Sequence, residues 1–293
     1  MELRHIRYFV AVAEELHFGR AAERLQMAQP PLSQQIRQLE AELDVQLFYR
    51  TKRKVQLTEA GQVFLKEARQ ILAQSEQAVQ IAQRANRGEM GRLAIGFVGS
   101  ATYSVLPIVL RAFCKRFPEV QLILHELTTA EQIEALREQR IQVGFVRPPI
   151  YDEEFRLASV LREAFIAVLP ESHPLATQPK ISLQSLAHEP FILFPSHLGI
   201  GFYHQVINLC QQAGFTPKVA QEAIQMQTII SLVAAELGVA LVPASLQNLQ
   251  RVGIVYKPLV EATPTVELAI VWREDELSPV FYRFLEVAKK LTQ

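Results

Sequence analysis

Two adjacent prolines fix the start of a helix in the first fifty residues, and this feature constrains the fold of the chain more than any other. Pro30 and Pro31 fit only a first helical turn, where their missing N–H groups forfeit no hydrogen bond. After that start, apolar side chains recur at i, i+4, i+7 and i+11, as Leu32, Ile36, Leu39 and Leu43. The spacing predicts a helix with one buried stripe.

The opposite face of this helix is polar. Its amide, hydroxyl and guanidinium groups belong to Gln29, Ser33, Gln34, Arg37 and Gln38. Such groups reach base edges and phosphates when a helix lies in a DNA major groove. Apolar spacing upstream predicts two more helices, near residues 3–16 and 18–25, so the second and third helices form a helix-turn-helix. The alternative is a chance pattern in an ordinary helical domain.

A cationic segment follows the third helix and precedes a short extended alternation at Val55 and Leu57. Its charges are Arg50, Lys52, Arg53 and Lys54. We interpret it as a β-wing whose tip meets phosphates or enters a minor groove. The alternative is a solvated charged face.

Residues 58–88 read as one long helix, since proline is absent and glycine is confined to the two ends. Thr58 can cap its first turn, and the helix spans about 45 Å at 1.5 Å per residue. Small and apolar residues recur in steps of four and three, which predicts a dimerisation seam at Phe64, Ala68, Ile71, Ala78 and Ala82. The alternative is a helix that lies on its own domain.

Beyond Gly91 short apolar strands alternate with helices, which indicates an α/β unit with a mostly parallel sheet. The pattern predicts subdomain I over about 91–162 and 265–293, and subdomain II over about 163–264. Chain crossings near residues 161–164 and 262–266 would form a hinge beside a cleft.

Hydroxyl groups follow the first two strands of this unit, at Ser100, Thr102 and Thr129. Together with helix N-termini they can hold a carboxylate, although each hydroxyl alone is also an ordinary helix cap. Arg147 follows the third strand, where it can pair with a second carboxylate or form a hinge salt bridge.

No catalytic signature is present: the sequence lacks a Gly-x-Ser-x-Gly, a His-Glu-x-x-His and a phosphate-binding glycine loop. Cys114 and Cys210 have no metal-ligand spacing, and we expect buried thiols and no disulfide rather than a redox switch. We expect neither a metal nor a cofactor. The polar N-terminus and the absence of a long apolar run lead us to expect a cytoplasmic protein without membrane contact.

Four spaced motifs resemble the N-terminal signature of LysR-type transcriptional regulators. They are residues 3–9, 21–25, 28–33 and Leu57-Thr58-Glu59-Ala60-Gly61. Segments 1–12, 96–100, 232–235 and 241–245 further resemble the regulators of benzoate, catechol and chlorocatechol degradation. Segment 196–201 lacks prolines expected in that subgroup, which leaves the ligand open.

The resemblance implies an N-terminal winged helix-turn-helix (1–57), a linker helix (58–88) and a C-terminal periplasmic-binding-protein-like effector domain (91–293). It implies a bacterial regulator that binds an interrupted inverted repeat in promoter DNA as a homodimer assembling to a homotetramer. A small carboxylate inducer, muconate- or benzoate-like, would alter DNA bending and RNA polymerase recruitment. Phe202 and Gln227 match inducer-pocket positions of the subgroup, as do Ser100 and Thr129.

For DNA contact we predict Gln29, Pro30, Pro31, Ser33, Gln34, Arg37, Arg50, Lys52 and Arg53. An enzyme is disfavoured by the absence of catalytic signatures, and two other rival functions stay open. A solute-binding protein would need export, and a sequence-independent DNA binder would show equal affinity for all duplexes with a steep salt dependence.

Overall fold

A computed structural model describes residues 1–51 and 54–292. The chain forms two compact units, Met1–Arg84 and Ala85–Gln293. The division falls inside the long helix that was predicted as a separate linker. Within the described residues, no helix combines the length and apolar character that a membrane span requires.

The first unit contains the predicted helices and wing. Its elements are α1 (Leu3–Glu15), α2 (Phe18–Arg24), α3 (Gln29–Leu43), β1 (Phe48–Arg50), β2 (Val55–Leu57) and α4 (Glu59–Asn86). Strands β1 and β2 pair antiparallel. The core is centred on Phe9, whose ring lies 5.3 Å from that of Phe48 and 4.9 Å from that of Phe64. This core therefore joins α1 to the wing and to α4.

Helix α3 begins as its sequence predicts. The two prolines occupy its first turn, and Asp44 ends the helix in the left-handed region with φ of 54°. Leu32, Ile36 and Leu39 are fully buried, whereas Leu43 is half-buried. The buried stripe thus fixes which face of α3 points away from the core.

The first turn of α4 packs closely against the segment that leads into the wing. The backbone N–H of Gly61 donates to the Thr58 hydroxyl at 2.9 Å, which confirms the predicted cap. A Cβ on Gly61 would lie 2.1 Å from the Leu47 carbonyl oxygen, so only glycine permits this approach.

The structure contradicts part of the predicted dimerisation seam. Ala68 is fully buried and Phe64 half-buried, and both pack in the core of their own unit. The remaining seam residues, Ile71, Ala78 and Ala82, are exposed. A straight helix drifts about 20° per heptad against a 3.5-residue repeat, so one seam turns from the core toward solvent.

The second unit contains two lobes. The first lobe is formed by β3 (Met90–Phe97), α5 (Val105–Arg116), β4 (Glu119–Glu126), α6 (Thr129–Arg137), β5 (Val143–Val146), β6 (Phe155–Glu163), β12 (Val266–Arg273) and α9 (Pro279–Thr292). Its strand order is β4-β3-β5-β12-β6. Strand β3 runs parallel to β4 and β5, whereas β12 runs antiparallel to β5 and β6.

The second lobe is formed by β7 (Phe165–Pro170), β8 (Pro190–Leu193), α7 (Ile200–Gln212), β9 (Lys218–Glu222), α8 (Met226–Ala234), β10 (Ala240–Pro243) and β11 (Ile254–Pro258). Strands β8 and β9 pair parallel, but β7 is antiparallel to both β10 and β11. The expectation of a mostly parallel sheet is therefore wrong here. Strands β6 and β11, which take part in two of the four antiparallel pairs of this unit, were missing from the sequence prediction.

The chain crosses between the lobes where predicted. Strand β6 ends at Glu163 and β7 begins at Phe165, so one residue separates the two sheets. The return crossing lies between Pro258 and Val266. Two crossings side by side give a hinge, and they place the carboxyl ends of β3 and β5 against the second lobe.

The two cysteines differ in environment. Cys114 on α5 is exposed, so the expectation of a buried thiol is wrong for this residue. It lies outside the buried stripe of the helix, which is formed by Leu106, Val109 and Phe113. Cys210 on α7 is buried in the second lobe, and that burial raises the pKa of its thiol to about 12.

We predict that Cys210 resists alkylation while the protein is folded, because only the thiolate reacts readily. The variant Cys114→Ser isolates this thiol. Iodoacetamide labelling followed by mass spectrometry should give no adduct at pH 8 in buffer and a complete adduct in denaturant. Rapid labelling of the folded variant would contradict the buried position.

Candidate functional sites

The exposed face of α3 carries a row of polar side chains, most of which have no partner within the described residues. Gln29, Gln34 and Arg37 are exposed and Ser33 is half-buried. Within the described part of the chain, no side-chain hydrogen bond or ion pair involves these four. Gln38 differs, since its amide donates to Glu42 at 3.3 Å. Pro30 and Pro31 are exposed at the start of the same row. The face is available to an external partner.

One carboxylate fixes the wing against α3. Glu40 Oε1 accepts the backbone N–H groups of Leu47 at 2.9 Å and Phe48 at 3.2 Å. Its other oxygen pairs with the Arg50 guanidinium, which also lies 5.3 Å above the Phe18 ring. Sequence reasoning missed Glu40, because an acidic residue at that helical position looks like solvated surface.

This arrangement changes the interpretation of Arg50. The residue was predicted to contact DNA, but its charge is used inside the domain, so phosphate contact would compete with the Glu40 pair. Lys52 and Arg53, predicted for the same role, lie outside the described residues. The DNA contacts of the wing stay a prediction.

A cavity of about 520 Å³ opens between the lobes of the second unit. Its polar lining comprises Ser100, Glu126, Thr128, Thr129, Glu131, Arg147, His197 and Gln225. An apolar wall on the second lobe includes Phe194, Leu198, Phe202, Ile224 and Met226. Phe194 and Phe202 meet edge to face with ring centroids 6.2 Å apart. The cavity therefore offers a polar side and an apolar side.

Arg147 joins the predicted hydroxyl groups into one cluster. Its Nε and Nη2 each donate to the Ser100 hydroxyl oxygen at 3.3 Å, and its backbone N–H donates to the Thr129 hydroxyl at 3.3 Å. The cluster is assembled by the carboxyl ends of β3 and β5 and the start of α6. The three residues were predicted for this site, and the structure brings them together.

The same guanidinium reaches the hinge. Nη2 donates to Glu163 Oε1 at 3.1 Å, and Glu163 Oε2 accepts the backbone N–H of Ser245, from the second lobe, at 2.5 Å. Arg147 and Glu163 retain side-chain exposures of only 6% and 8%. Burial lowers the pKa of the arginine, and the Glu163 carboxylate opposes that effect. A chain of contacts thus joins the cavity to both lobes.

The third nitrogen of Arg147 is unused. Nη1 is buried and has no hydrogen-bond partner among the described residues. A buried charged donor without an acceptor is costly, and Arg147 is one of the residues that line the cavity.

Helix α6 presents its N-terminus to the same cavity. Thr128 accepts the N–H of Glu131 and the Glu131 carboxylate accepts the N–H of Thr128, which forms a capping box. Thr129 is the first helical residue. The Glu131 carboxylate already lies at the positive end of this helix dipole, which reduces the preference for a further anion there.

Two predicted pocket residues lie elsewhere. Thr102 is exposed and its hydroxyl donates to the Gly99 carbonyl at 2.6 Å, so it closes a turn beside the cavity. Gln227 is exposed in the first turn of α8 and is not among the described lining residues, whereas Gln225, two residues earlier, lines the cavity. Gln225 precedes the helix, and a helical step of two residues turns a side chain to the opposite side.

Sequence reasoning also missed the acidic lining. Glu126 ends β4, and Glu131 belongs to the capping box. The topological rule that drew attention to residues after each strand applies equally to Glu126, but only hydroxyl groups were considered.

Comparison with known proteins decides the family. A model of the bacterial regulatory helix-turn-helix protein, lysR family, matches residues 3–62, and a model of the LysR substrate binding domain matches residues 86–293. The chain belongs to the LysR family of transcriptional regulators. A relative, the HTH-type transcriptional regulator AlsR of Bacillus subtilis (strain 168), is 42% identical over 98% of this chain and 95% of its own.

Solved structures support the same assignment for this regulator. Full-length CbnR in complex with its target DNA has a TM-score of 0.86 at 31% identity, covering 100% of each chain. The effector binding domain of BenM with its effector benzoate has a TM-score of 0.61 at 31% identity, covering 68% of this chain and 91% of that one. The protein is therefore a DNA-binding transcriptional regulator with an effector-binding domain, rather than an enzyme.

We predict that Glu40→Ala destabilises the regulator by about 1–3 kcal/mol, because two N–H groups and one guanidinium lose their acceptor. Urea denaturation at fixed protein concentration measures the change. Glu23→Ala, an exposed carboxylate on α2, serves as the matched control and should cost much less. Equal losses in the two variants would show that Glu40 does not hold the wing.

Proposed function

We propose that this regulator responds to a small carboxylate that binds in the cavity between the lobes. The observation that carries the proposal is the buried Arg147, with an unpartnered Nη1 beside the hydroxyl groups of Ser100 and Thr129. A carboxylate there accepts from the arginine and lies near the start of α6. Charge-assisted hydrogen bonds of this kind are the stronger class in proteins.

The contacts at the hinge support a route from ligand to conformation. A carboxylate that binds Nη1 of Arg147 shares the guanidinium with Glu163, which accepts from Nη2 and also holds Ser245 of the second lobe. The ligand then favours the arrangement of lobes in which both sets of contacts are satisfied. Its effect is limited to the difference in its affinity for the two arrangements.

On DNA we propose a homodimer that assembles to a homotetramer on an interrupted inverted repeat in a promoter. The exposed face of α3 supports major-groove reading by Gln29, Ser33, Gln34 and Arg37, with Pro30 and Pro31 at the helix start. Exposed apolar side chains on α4 support dimerisation along its later turns; they include Ile71, Val79 and Ile81. The effector would alter DNA bending and RNA polymerase recruitment.

For the ligand class, the apolar wall supports an acid with a hydrocarbon part. Benzoate and muconate are the first candidates, because BenM, a relative in structure, is described with benzoate as its effector. Segment 196–201, which departs from that subgroup, contributes His197, Leu198 and Gly199 to the lining. Those residues face any ligand directly, so they are where specificity would differ.

We predict that thermal unfolding against benzoate, muconate and aliphatic dicarboxylates identifies a stabilising acid. Ligand at about 100 times Kd adds about 2.7 kcal/mol to the folded state. Thr129→Val should abolish the shift, because it removes the hydroxyl beside Arg147. Thr228→Val, on an exposed threonine of α8 outside the lining, is the control. An unchanged shift in Thr129→Val would exclude the cavity as the site.

We predict that Gln34→Ala weakens binding to a duplex selected from a random library by about 5- to 150-fold, since a good base contact contributes about 1–3 kcal/mol. Fluorescence anisotropy at two salt concentrations measures it. Binding to unselected duplex should change little. Gln212→Ala, an exposed glutamine at the end of α7, is the control. Equal affinity for selected and unselected duplexes would instead support a sequence-independent binder.

A further inference from the structure

One carboxylate in the cavity has no use in binding an anion. Glu126 lies at the end of β4, lines the cavity and is exposed to it. Within the described chain its side chain makes no hydrogen bond and no ion pair. Glu131, the other acidic lining residue, accepts from Thr128 in the capping box. Glu126 therefore presents a free negative charge inside a site that otherwise favours an anion.

The position of this carboxylate is defined by a glycine. A Cβ on Gly99 would lie 2.7 Å from Glu126 Oε1 and 2.7 Å from the side-chain oxygen of Gln225. Gly99 does not have a positive φ, so the glycine matters for space. Two acceptor oxygens, one from each lobe, converge over this residue. Any side chain at position 99 would displace both.

The negative charge of Glu126 affects the ionisation of a neighbouring tyrosine. Burial raises the pKa of Tyr103, and the Glu126 carboxylate adds to that increase. An anion bound at Arg147 would experience the same unfavourable field, since both residues line one cavity. A purely anionic ligand would leave the carboxylate unpaired beside it.

Three different walls therefore surround the cavity. Arg147, with a side chain 6% exposed and an Nη1 without a partner, requires an acceptor. The Glu126 carboxylate and the side-chain oxygen of Gln225 can accept from a donor. Phe194, Phe202 and Met226 require an apolar group.

We propose that the effector is a small amino acid, whose carboxylate binds at Arg147, whose ammonium group binds at Glu126 and whose apolar side chain packs on Phe202. The proposal rests on the proposed carboxylate site and narrows its ligand. A charged donor is favoured over a hydroxyl because charge-assisted hydrogen bonds to a carboxylate are stronger. The ammonium also cancels the field that Glu126 imposes on the anion.

The test compares ligands that share one carbon skeleton and differ only in the group beside the carboxylate. The full-length protein is titrated by calorimetry with three series: alanine, lactate and propionate; valine, 2-hydroxyisovalerate and isovalerate; phenylalanine, phenyllactate and hydrocinnamate. In at least one series we expect the amino acid to bind ten times or more tighter than the plain acid. The hydroxy acid should lie between them.

The variant Glu126→Gln should reverse this preference. It should weaken the amino acid at least tenfold and strengthen the plain acid, because the repulsion on the carboxylate is removed. Glu222→Gln, at the exposed end of β9 and outside the lining, makes the same change of charge and should leave both affinities unchanged.

Three outcomes overturn the proposal. The first is equal or weaker binding of the amino acid in every series, and the second is an unchanged ligand preference in Glu126→Gln. The third is binding of benzoate or muconate but of no amino acid, which refutes the amino-acid ligand and keeps the carboxylate site. If no acid of any class binds, or Thr129→Val binds as the wild type does, the proposed carboxylate site itself fails.

Discussion

The buried guanidinium of Arg147 is the interaction on which the effector-binding domain depends. A charge removed from water must be compensated, and the fold supplies Glu163 and Ser100 for two of its nitrogens. Those partners come from the end of β6 and the turn after β3. The arginine therefore joins the hinge and the cavity in one network, and its remaining nitrogen is the group that the proposed carboxylate would bind.

The DNA-binding unit is also held together by one charged side chain, which in this unit is a carboxylate. Glu40 is the half-buried acceptor there, and it accepts backbone N–H groups at the start of the wing as well as a contact from Arg50. Helix α3 and the wing are consequently held as one body. In both units, a charged side chain removed from solvent holds the surrounding elements in place. The polar face of α3 and the lining of the cavity are thereby left available for partners.

The sequence predicted best what depends on local physics. Proline placement and apolar spacing located α3, and the Thr58 cap located α4, because these signals act within a few residues. Ser100, Thr129 and Arg147 were found through the rule that ligands lie beyond the carboxyl ends of parallel strands. The predictions that failed concern features that depend on contacts between residues distant in the sequence. The burial of Phe64 and Ala68 requires knowledge of where α1 lies. The antiparallel pairing of β7 with β10 and β11 depends on strand directions that the local sequence does not specify. Glu126 was missed since only hydroxyl groups after the strands were considered. Gln227 was carried over by resemblance to the subgroup, whereas Gln225 lines the cavity.

A ligand that binds at Arg147 is proposed to change the angle between the two lobes. The most direct measurement of this change is the distance between spin labels on Cys114 of the first lobe and an introduced Gln184→Cys of the second, in labelled chains diluted with unlabelled ones. The acid with the largest thermal shift should change this distance in the wild type, and Glu163→Gln should abolish the change while the acid still binds. A bound acid that leaves the distance unchanged in the wild type would contradict the account.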